Sequence, residues 1–347
     1  MRTVELVGPR SLEVCERAMP DGPGPDEVMV RLRAVGICGS DLHWYEDFGI
    51  GATPASRGMI LGHEPVGEVV AVGRGVTSHR EGDKVAIEPS ITCGHCEFCR
   101  SGRPNNCPSC VFMGGPQAPG FFREYAVVPA RNAEHFPEEI DFLTATLIEP
   151  TAVIVHVFEL HPVRVGDTVA VLGSGPIGLL CANMARMAGA ARVFLADKVA
   201  HRLRIARQID EHFVTINTQA MKITETVLDA TNGRGVDVVF DAAGAPETLQ
   251  AGIEIARPSG TVVLIGISSQ RMAPFDVHAA MNKELRIQTV KRSNHKGLEA
   301  VGLIQAGRIP DLIITHRLPL ESTPEGFDIA SNHRDGVGKL VIEFNQV

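Results

Sequence analysis

The feature that most limits how this chain can fold is a glycine-rich loop, Gly173–Gly178, with the spacing G-x-G-x-x-G. An apolar strand pattern, DTVAVLG, leads directly into the loop, and an apolar helical pattern continues from Pro176 to Gly189. A loop of this spacing between a strand and a helix predicts a dinucleotide-binding βαβ unit, in which a pyrophosphate lies at the helix N-terminus. The alternative is a glycine-rich turn that binds no ligand.

Each position of the loop has a physical reason for its residue type. The first glycine permits the sharp turn, the second lets the backbone approach a pyrophosphate, and the third lets helix and strand pack closely. A proline at the start of a helix removes no hydrogen bond, because the first helical N–H groups have no partner within the helix. The predicted cofactor contacts in the loop are therefore Gly173, Gly175, Pro176, Ile177 and Gly178.

The end of the next strand pattern, ARVFLAD, predicts which dinucleotide is bound. Asp197 closes this strand 19 positions after Gly178, where a carboxylate accepts hydrogen bonds from the adenosine ribose and repels a 2′-phosphate. The sequence therefore favours NAD over NADP. Lys198 and Arg202 also lie near this end of the strand, and their positive charges keep NADP as an alternative. An ordinary solvated aspartate at a strand end is the other alternative.

Strand and helix patterns alternate from residue 166 to 290, whereas the first 150 residues contain short β-rich runs separated by Gly and Pro. Near-continuous apolar strands that alternate with helices predict a parallel sheet covered on both faces, which is a doubly wound α/β domain. The junction near 150–165 has a helical pattern, and the tail breaks the alternation. The predicted fold is α/β plus β, with domains at 1–152 and 153–290 and a return to the first domain at 291–347.

Charge and hydropathy exclude several classes of protein. The chain has 33 Lys and Arg against 41 Asp and Glu, a net charge of −8, so a nucleic-acid partner is not expected. The N-terminus lacks the apolar run of a signal peptide, and no stretch approaches the roughly 18 apolar residues of a membrane span. We therefore expect a cytoplasmic protein with no membrane partner, whose thiols stay reduced.

Four of the eight cysteines lie in one loop, TCGHCEFCRSGRPNNC, with the spacing C-x2-C-x2-C-x7-C. Reduced thiols at this spacing can close a tetrahedron around Zn²⁺ and leave no coordination position open, which is typical of a structural site. An iron–sulfur cluster is the alternative. The predicted ligands of a structural zinc ion are Cys93, Cys96, Cys99 and Cys107.

A second set of metal-binding residue types is dispersed along the chain. Cys38 lies in GICGSDLH, His63 and Glu64 lie in LGHEP, and Glu149 lies in LIEPTAV. One Cys, one His and one carboxylate form a three-ligand set that leaves a position for water or substrate on a catalytic metal. Each residue taken alone is also compatible with a place in the core.

Several motifs in chain order make the sequence resemble the zinc-dependent medium-chain dehydrogenases from end to end. They are C-G-S-D-x-H at 38–43, G-H-E at 62–64, the four-cysteine loop and the glycine loop. Glu149–Pro150 stands where simple alcohol dehydrogenases have a zinc-binding Cys, and in this it resembles the sorbitol (polyol) and threonine dehydrogenase branch. The resemblance implies a GroES-like catalytic domain, a Rossmann domain, two zinc ions and NAD in each chain, and a homo-oligomer, either dimer or tetramer.

The resemblance also implies roles for individual residues. The catalytic zinc ligands are Cys38, His63 and Glu64, with Glu149 or water completing the set. Ser40 and His43 match the family's proton relay, and Lys339 in VGKLVIEF matches a cation near the pyrophosphate. Tyr45, Phe112 and Arg292 fall where polyol dehydrogenases line the substrate pocket, although plain packing is an equal alternative for Tyr45 and Phe112. Ser293 departs from the pattern, because an aromatic residue is usual at that position.

These features together predict an enzyme that uses zinc and NAD to oxidise a secondary alcohol of a polyol or a sugar-like compound. The alternative within the same class is an L-threonine or simple-alcohol dehydrogenase. The alternative of another class is a non-catalytic NAD-binding structural protein that has kept the fold. Such a protein would be expected to have lost Cys38, Ser40, His43 or His63, and all four are present.

Overall fold

The computed structural model describes residues 1–344 and divides into two compact units. The first unit combines Met1–Val153 with the segment that begins at Ser293, and the second unit is Ile154–Arg292. The domain boundaries predicted at 152 and 290 lie within two residues of these divisions.

Residues 1–344 contain twenty strands and eleven α-helices. The strands are β1 Arg2–Gly8, β2 Ser11–Glu16, β3 Glu27–Gly36, β4 Gly49–Ile50, β5 Thr53–Pro54, β6 Met59–Ile60, β7 Glu64–Val72, β8 Lys84–Ile87, β9 Ser90–Ile91, β10 Val111–Phe112, β11 Tyr125–Pro129, β12 Ala133–His135, β13 Thr168–Leu172, β14 Arg192–Asp197, β15 Val214–Asn217, β16 Val236–Asp241, β17 Ala256–Leu264, β18 Arg286–Thr289, β19 Ile314–Pro319 and β20 Lys339–Glu343. The helices are α1 Gly39–Asp47, α2 Glu97–Arg100, α3 Phe142–Ala145, α4 Ile148–Leu160, α5 Pro176–Met187, α6 Ala200–Ile209, α7 Ile223–Ala230, α8 Pro246–Ile255, α9 Val277–Asn282, α10 Gly297–Gln305 and α11 Thr323–Ser331.

Seven strands of the first unit form one mostly antiparallel sheet. Their order is β12-β8-β7-β3-β20-β19, and β11 pairs with β3 as well. Side chains of β3 alternate between core and surface, so that Val28, Val30 and Leu32 are buried while the residues between them are partly exposed. The predicted return of the tail is visible in this sheet, where β20 lies between β3 and β19.

The second unit is a six-stranded parallel sheet with the order β15-β14-β13-β16-β17-β18. All six residues of β16 are buried, as expected for a strand covered on both faces. The chain runs from β13 outward to β14 and β15 and then returns to the other side of β13. This reversal between β13 and β16 is the topological switch point, beside which open α/β sheets bind ligands at the carboxyl ends of the strands. The predicted doubly wound fold is confirmed.

Three parts of the secondary structure differ from the sequence prediction. The hairpin of β1 and β2 and the helices α1, α9 and α11 were not predicted, because they are short and mix polar with apolar residues. The apolar strand pattern GTVVLIG predicts a strand from residue 260, whereas β17 begins earlier, at Ala256. The helical run Phe142–Leu160 is 19 residues long with a mean hydropathy of 1.4, so one stretch does approach the length of a membrane span. More than half of that run is buried, as in a core helix of a soluble protein.

Candidate metal and cofactor sites

The four-cysteine loop folds back on itself so that its sulfur atoms converge. The Sγ atoms of Cys93, Cys96, Cys99 and Cys107 all lie within 4.8 Å of one another. Cys93 Sγ is 3.9 Å from Cys99 Sγ and 3.6 Å from Cys107 Sγ. Four sulfurs bonded at about 2.3 Å to one tetrahedral ion would be separated by similar distances, whereas a disulfide bond is much shorter.

Backbone N–H groups of the loop stabilise the thiolate form that a metal requires. The N–H of Cys96 lies 3.4 Å from Cys93 Sγ, and the N–H of Cys99 lies 3.5 Å from Cys96 Sγ. The backbone N–H groups of His95 and Cys96 lower the pKa of the Cys93 thiol to about 6. The donor set and its spacing therefore fit a single zinc ion, and they do so with ligands from one short loop.

The dispersed ligand set is also brought together. Cys38 lies just before helix α1, while His63 and Glu64 lie at the start of β7, and one ligand atom from each falls within 4.8 Å of the others. His63 is 5% exposed and Glu64 is 1% exposed. A partly buried thiol, a buried imidazole and a buried carboxylate that converge from different elements fit a zinc ion with one open position.

Asp41 is a residue of this site that sequence reasoning missed. Its side chain is fully buried, and one carboxylate oxygen lies 3.2 Å from His63 Nδ1 while accepting the backbone N–H of Gly62. The other oxygen accepts the backbone N–H of Cys38 at 3.0 Å. Asp41 therefore orients two metal-binding residues, and it leaves His63 Nε2 directed at the ligand position. The available signal was the carboxylate of the C-G-S-D-x-H motif, two positions before His43.

The electrostatics of His63 follow from the same contact. Burial alone would lower the pKa of His63, but the Asp41 carboxylate and the Cys38 sulfur raise it well above the ordinary value. These are the negative groups that a bound cation would also face. The site is therefore built to hold positive charge.

The predicted relay residues lie on helix α1, one turn apart. Ser40 Oγ is 3.3 Å from His63 Nε2, which places this hydroxyl beside the ligand position. His43 is partly exposed, and its Nδ1 lies 3.5 Å from a carboxylate oxygen of Asp47. One relay residue thus faces the metal site and the other is partly accessible to solvent, although the relay itself stays a prediction.

Lys339 occupies an unexpected position. Its ammonium group bonds the carboxylate of Glu64 and donates to the carbonyl of Ile37 at 3.1 Å, and its side chain is 1% exposed. Gly36 makes room for this pair, because a Cβ there would lie 2.9 Å from Lys339 Cε. Lys339, which was predicted to lie near the pyrophosphate, is therefore paired in the structure with Glu64, a carboxylate of the candidate metal site.

Glu149 lies near the catalytic set without joining it. It begins helix α4, and burial raises the pKa of its carboxyl group to about 8, with His63 among the charges that oppose the rise. It is not among the residues whose ligand atoms lie within 4.8 Å of Cys38, His63 and Glu64. Together with Glu64, Glu88 and Glu134 it lines a small cavity of the first unit.

The carboxyl group of Glu134, which lines this cavity, makes the stability of the protein depend on pH. Burial, with smaller contributions from Glu88 and Glu299, raises the pKa of Glu134 from 4.5 to about 7. The folded state therefore holds a proton that the unfolded state releases, so stability falls as pH rises from 4.5 towards 7. We expect Glu134→Gln to raise the free energy of unfolding by about 1–3 kcal/mol at pH 8, with little gain at pH 5.

Thermal unfolding at both pH values measures this effect. The matched control is Glu81→Gln, which removes an exposed carboxylate and should leave the melting temperature unchanged at either pH. A Glu134→Gln protein that melts no higher than the parent at pH 8 would show that this carboxyl group is not held away from water as described.

The predicted substrate residues have different surroundings. The Phe112 ring lies 5.4 Å from the ring of His63, beside the catalytic set. Tyr45 is 5% exposed and packs on Phe327 at 5.2 Å in the core of the first unit, the packing alternative that the sequence left open. Arg292 has a positive φ of 57°, and its place in a pocket stays a prediction. Ser293 is 2% exposed and donates to the Glu88 carboxylate at 2.7 Å.

The glycine loop of the second unit has the geometry expected of a dinucleotide cradle. Gly173 has a φ of +96°, and a Cβ at that position would lie 3.0 Å from the backbone nitrogen of Ala243. At Gly178 a Cβ would overlap the backbone of Gly173. The hydroxyl of Ser174, between the first two glycines, is buried and has no hydrogen-bond partner among residues 1–344. An orphaned polar atom beside the N-terminus of α5 fits an anionic ligand.

Asp197 and two cations lie beside this loop. Asp197 accepts the backbone N–H of Ser174 at 2.6 Å and that of Val199 at 2.7 Å, which fixes its carboxylate at the end of β14. A Cβ on Gly175 would lie 3.9 Å from a guanidinium nitrogen of Arg202, and burial lowers the pKa of Arg202. Lys198 is exposed. Asp197 and Arg202 therefore border the position expected for an adenosine ribose.

Two family descriptions match most of the chain. Residues 24–138 match an alcohol dehydrogenase GroES-like domain, and residues 176–305 match a zinc-binding dehydrogenase. The first match contains the predicted catalytic ligands Cys38, His63 and Glu64 together with the four-cysteine loop.

Curated relatives extend over nearly the whole sequence. Sorbitol dehydrogenase of Bacillus subtilis is 32% identical over 351 residues, which is 100% of this chain and 98% of that protein. Sorbitol dehydrogenase of Gallus gallus is 35% identical over 91% of this chain and 89% of that protein. D-xylulose reductase A of Aspergillus oryzae is 34% identical over 93% of this chain and 91% of that protein.

Solved structures show the same architecture with both kinds of cofactor. An alcohol dehydrogenase from Escherichia coli CFT073, complexed with NADH, has a TM-score of 0.90 and 31% identity, covering 99% of each chain. A protein from Sinorhizobium meliloti 1021 bound to NADP has a TM-score of 0.88 and 31% identity, covering 99% of this chain and 98% of that one.

Proposed function

Since the chain belongs to the zinc-dependent medium-chain dehydrogenase family, we propose that it oxidises a secondary alcohol group of a polyol or sugar-like compound with NAD. The observation that carries the proposal is the convergence of Cys38, His63 and Glu64 within 4.8 Å, in a chain that also has a dinucleotide cradle. A three-ligand site with an open position is what a catalytic zinc requires, whereas a purely structural site closes all four.

The ligands proposed for the two metal ions follow from the donor sets. Cys93, Cys96, Cys99 and Cys107 hold one zinc ion, and Cys38, His63 and Glu64 hold the other. Bound at the second set, zinc supplies a Lewis acid that lowers the pKa of an alcohol hydroxyl towards neutrality. Glu149 lines the same small cavity as Glu64, and we propose that its carboxyl group contributes through a water molecule.

The chain's own residues bind the alcohol and move its proton. Ser40, whose Oγ is 3.3 Å from His63 Nε2, accepts the proton from the substrate hydroxyl as it passes its own hydroxyl proton on towards His43, one turn along α1. His43, which is partly exposed, releases the proton to solvent. Phe112 packs beside His63 and excludes water from the reacting alcohol.

Polyol chemistry is supported by the relatives and by the residues around the site. The relatives that span the chain bear the names sorbitol dehydrogenase and D-xylulose reductase. Glu149 is a buried carboxyl group that interacts electrostatically with His63 and Glu64, and we propose that it forms an additional hydrogen bond with one of the several hydroxyl groups of a polyol. L-threonine or simple-alcohol oxidation is the alternative substrate class. A structural protein without activity is the alternative of another class, and the intact ligand set argues against it.

NAD is the proposed cofactor because Asp197 is fixed at the end of β14 by two backbone N–H groups. A carboxylate held there repels the 2′-phosphate of NADP, at a cost that Arg202 and Lys198 only partly offset. We expect the KM for NADP to exceed that for NAD by at least about tenfold, which corresponds to about 1.4 kcal/mol of discrimination. Asp197→Ser should raise activity with NADP and so reduce the ratio of the KM for NADP to the KM for NAD. A lower KM for NADP in the parent protein would reverse the assignment.

The experiment that tests the function is reduction of NAD and NADP by the purified, zinc-replete protein, followed by near-ultraviolet absorbance. The substrate panel is sorbitol, xylitol, inositol, aldoses, L-threonine and simple alcohols. Turnover with polyols or sugars is the expected result. Activity confined to threonine or to simple alcohols would overturn the substrate class, and no activity together with a single zinc ion per chain would support the structural alternative.

The dimer or tetramer implied by the resemblance and the cytoplasmic location expected from the sequence stay predictions. A second copy of the chain is the proposed macromolecular partner. The support is β18, an edge strand of the parallel sheet with Ile287 40% exposed, near Met281, which is 68% exposed.

A further inference from the structure

A buried aspartate at the carboxyl end of β16 has no role in the function as described so far. Asp241 is 2% exposed, and its Oδ1 accepts the backbone N–H groups of Ala243 at 3.1 Å and Gly244 at 3.0 Å. The hydroxyl of Thr248 lies 3.0 Å from both of its carboxylate oxygens. One carboxylate therefore fixes both the turn after β16 and the first turn of α8.

The turn that Asp241 fixes is wedged between two other loops at the carboxyl edge of the sheet. On one side, a Cβ on Gly173 would lie 3.0 Å from the backbone nitrogen of Ala243. On the other side, a Cβ on Gly266 would lie 2.7 Å from the carbonyl carbon of Ala243. Backbone hydrogen bonds also join these segments. The N–H of Ala242 donates to the carbonyl of Leu172, and the N–H of Gly266 donates to the carbonyl of Asp241, each at 2.9 Å.

The position of this turn in the sheet indicates what it supports. The order reverses between β13 and β16, so a ligand at the switch point extends over β14 on one side and over β16 and β17 on the other. Asp197, at the end of β14, marks the side of the adenosine ribose. The turn held by Asp241 lies on the opposite side, where the other half of a dinucleotide would rest.

We infer that Asp241 is a positioning residue that holds the turn Ala242–Gly244 as the support for the nicotinamide half of the cofactor. The inference rests on the proposed function, since it needs a dinucleotide in the cradle. Asp241 does not contact the cofactor but acts through the backbone that it fixes. Its removal should therefore weaken ligands that contain nicotinamide while sparing ligands that consist of the adenosine half alone.

The test compares equilibrium binding of NADH and of AMP to the full-length protein, with NADH fluorescence for the first and displacement or calorimetry for the second. Asp241→Ala is expected to raise the Kd for NADH by about 10-fold to 100-fold, the range associated with hydrogen bonds to a charged group, and to leave the Kd for AMP unchanged. Asp241→Asn keeps an acceptor oxygen for the two N–H groups, so it should restore most of the NADH affinity. Hydrogen exchange of Ala243 and Gly244 should increase in the alanine variant.

Asp237 provides a matched control on the same strand. It is buried at the amino end of β16, where it bonds Arg234, Arg257 and the backbone N–H of Thr168. Asp237→Ala should lower the melting temperature while leaving the Kd for NADH unchanged. This separates a general loss of stability from loss of support at the carboxyl edge.

The outcomes distinguish the inference from the function on which it rests. A parent protein that binds neither NADH nor NADPH would overturn both. NADH affinity that is unchanged in Asp241→Ala, or lost equally with AMP affinity, would overturn the role of Asp241 alone. If the alanine variant does not fold, Asp241→Asn decides: tight NADH binding with slow exchange at residues 243 and 244 supports the role, and weakened AMP binding contradicts it.

Discussion

Replacing Cys38 with Ser is expected to remove one of two bound zinc ions and to reduce turnover by about 10³-fold or more. A serine hydroxyl is a poor ligand for zinc beside the imidazole of His63 and the carboxylate of Glu64. Loss of a Lewis acid that supplies several kcal/mol of charge stabilisation corresponds to a rate loss of about this size. The four-cysteine site shares no residue with the catalytic set, so its ion should remain.

Metal analysis of the purified variant, together with its turnover number, measures both parts of the prediction. Cys15→Ser is the control, because Cys15 lies in β2 and belongs to neither ligand set. It should keep two zinc ions and full activity. Retention of two ions and of normal turnover in Cys38→Ser would show that Cys38 is not a ligand.

Replacing Lys339 with Met is expected to cause a large loss of stability in the first unit. Lys339 and Glu64 are both 1% exposed and form a buried ion pair. Removing one partner of such a pair leaves an uncompensated buried charge, which costs about 3–5 kcal/mol. A bound cation would also neutralise Glu64, so the loss should be greatest after treatment with a chelator and smaller in the zinc-replete protein.

Thermal unfolding with and without a chelator measures this difference. Each kcal/mol corresponds to about 2–4 °C for a protein unit of roughly this size, so a fall of about 6–20 °C is expected in the chelated protein. Lys222→Met removes an exposed partner of Glu225 and should have almost no effect. The double variant Lys339→Met with Glu64→Gln should recover much of the lost stability. Equal losses of stability with and without metal would contradict the expectation that a bound cation also neutralises the Glu64 carboxylate.

Features that depend on short-range spacing could be predicted from the sequence. The glycine loop, its flanking strand and helix, and the four-cysteine loop each lie within a few tens of residues, so their geometry is largely local. The alternation after residue 166 predicted the parallel sheet for the same reason, and the fold class is confirmed. The dispersed ligands Cys38, His63 and Glu64 were assigned through the family resemblance, since nothing in their separate spacing requires them to meet.

Contacts set by tertiary packing could not be read from the sequence. The neighbouring residues in VGKLVIEF do not indicate whether the lysine faces solvent, a cofactor or a carboxylate. Only the pairing of β20 with β3 places Lys339 beside Glu64. The role of Asp41 depends likewise on how α1 approaches the start of β7. The cavity that raises the pKa of Glu134 is lined by residues from several separate segments.

The place of β20 in its sheet also has a consequence for synthesis of the chain on the ribosome. β3 can pair with β7 and β11 as soon as the first 153 residues emerge, but the part of β3 at residues 34–36 waits for β20, which is translated after the whole of the second unit. The second unit is continuous in sequence and can fold during that interval. Until β20 is translated, the nascent first unit exposes part of the edge of β3, and Glu64 lacks its counter-charge. Newly made chains therefore pass through an interval in which an early supply of zinc, or a chaperone that covers β3, protects them from aggregation.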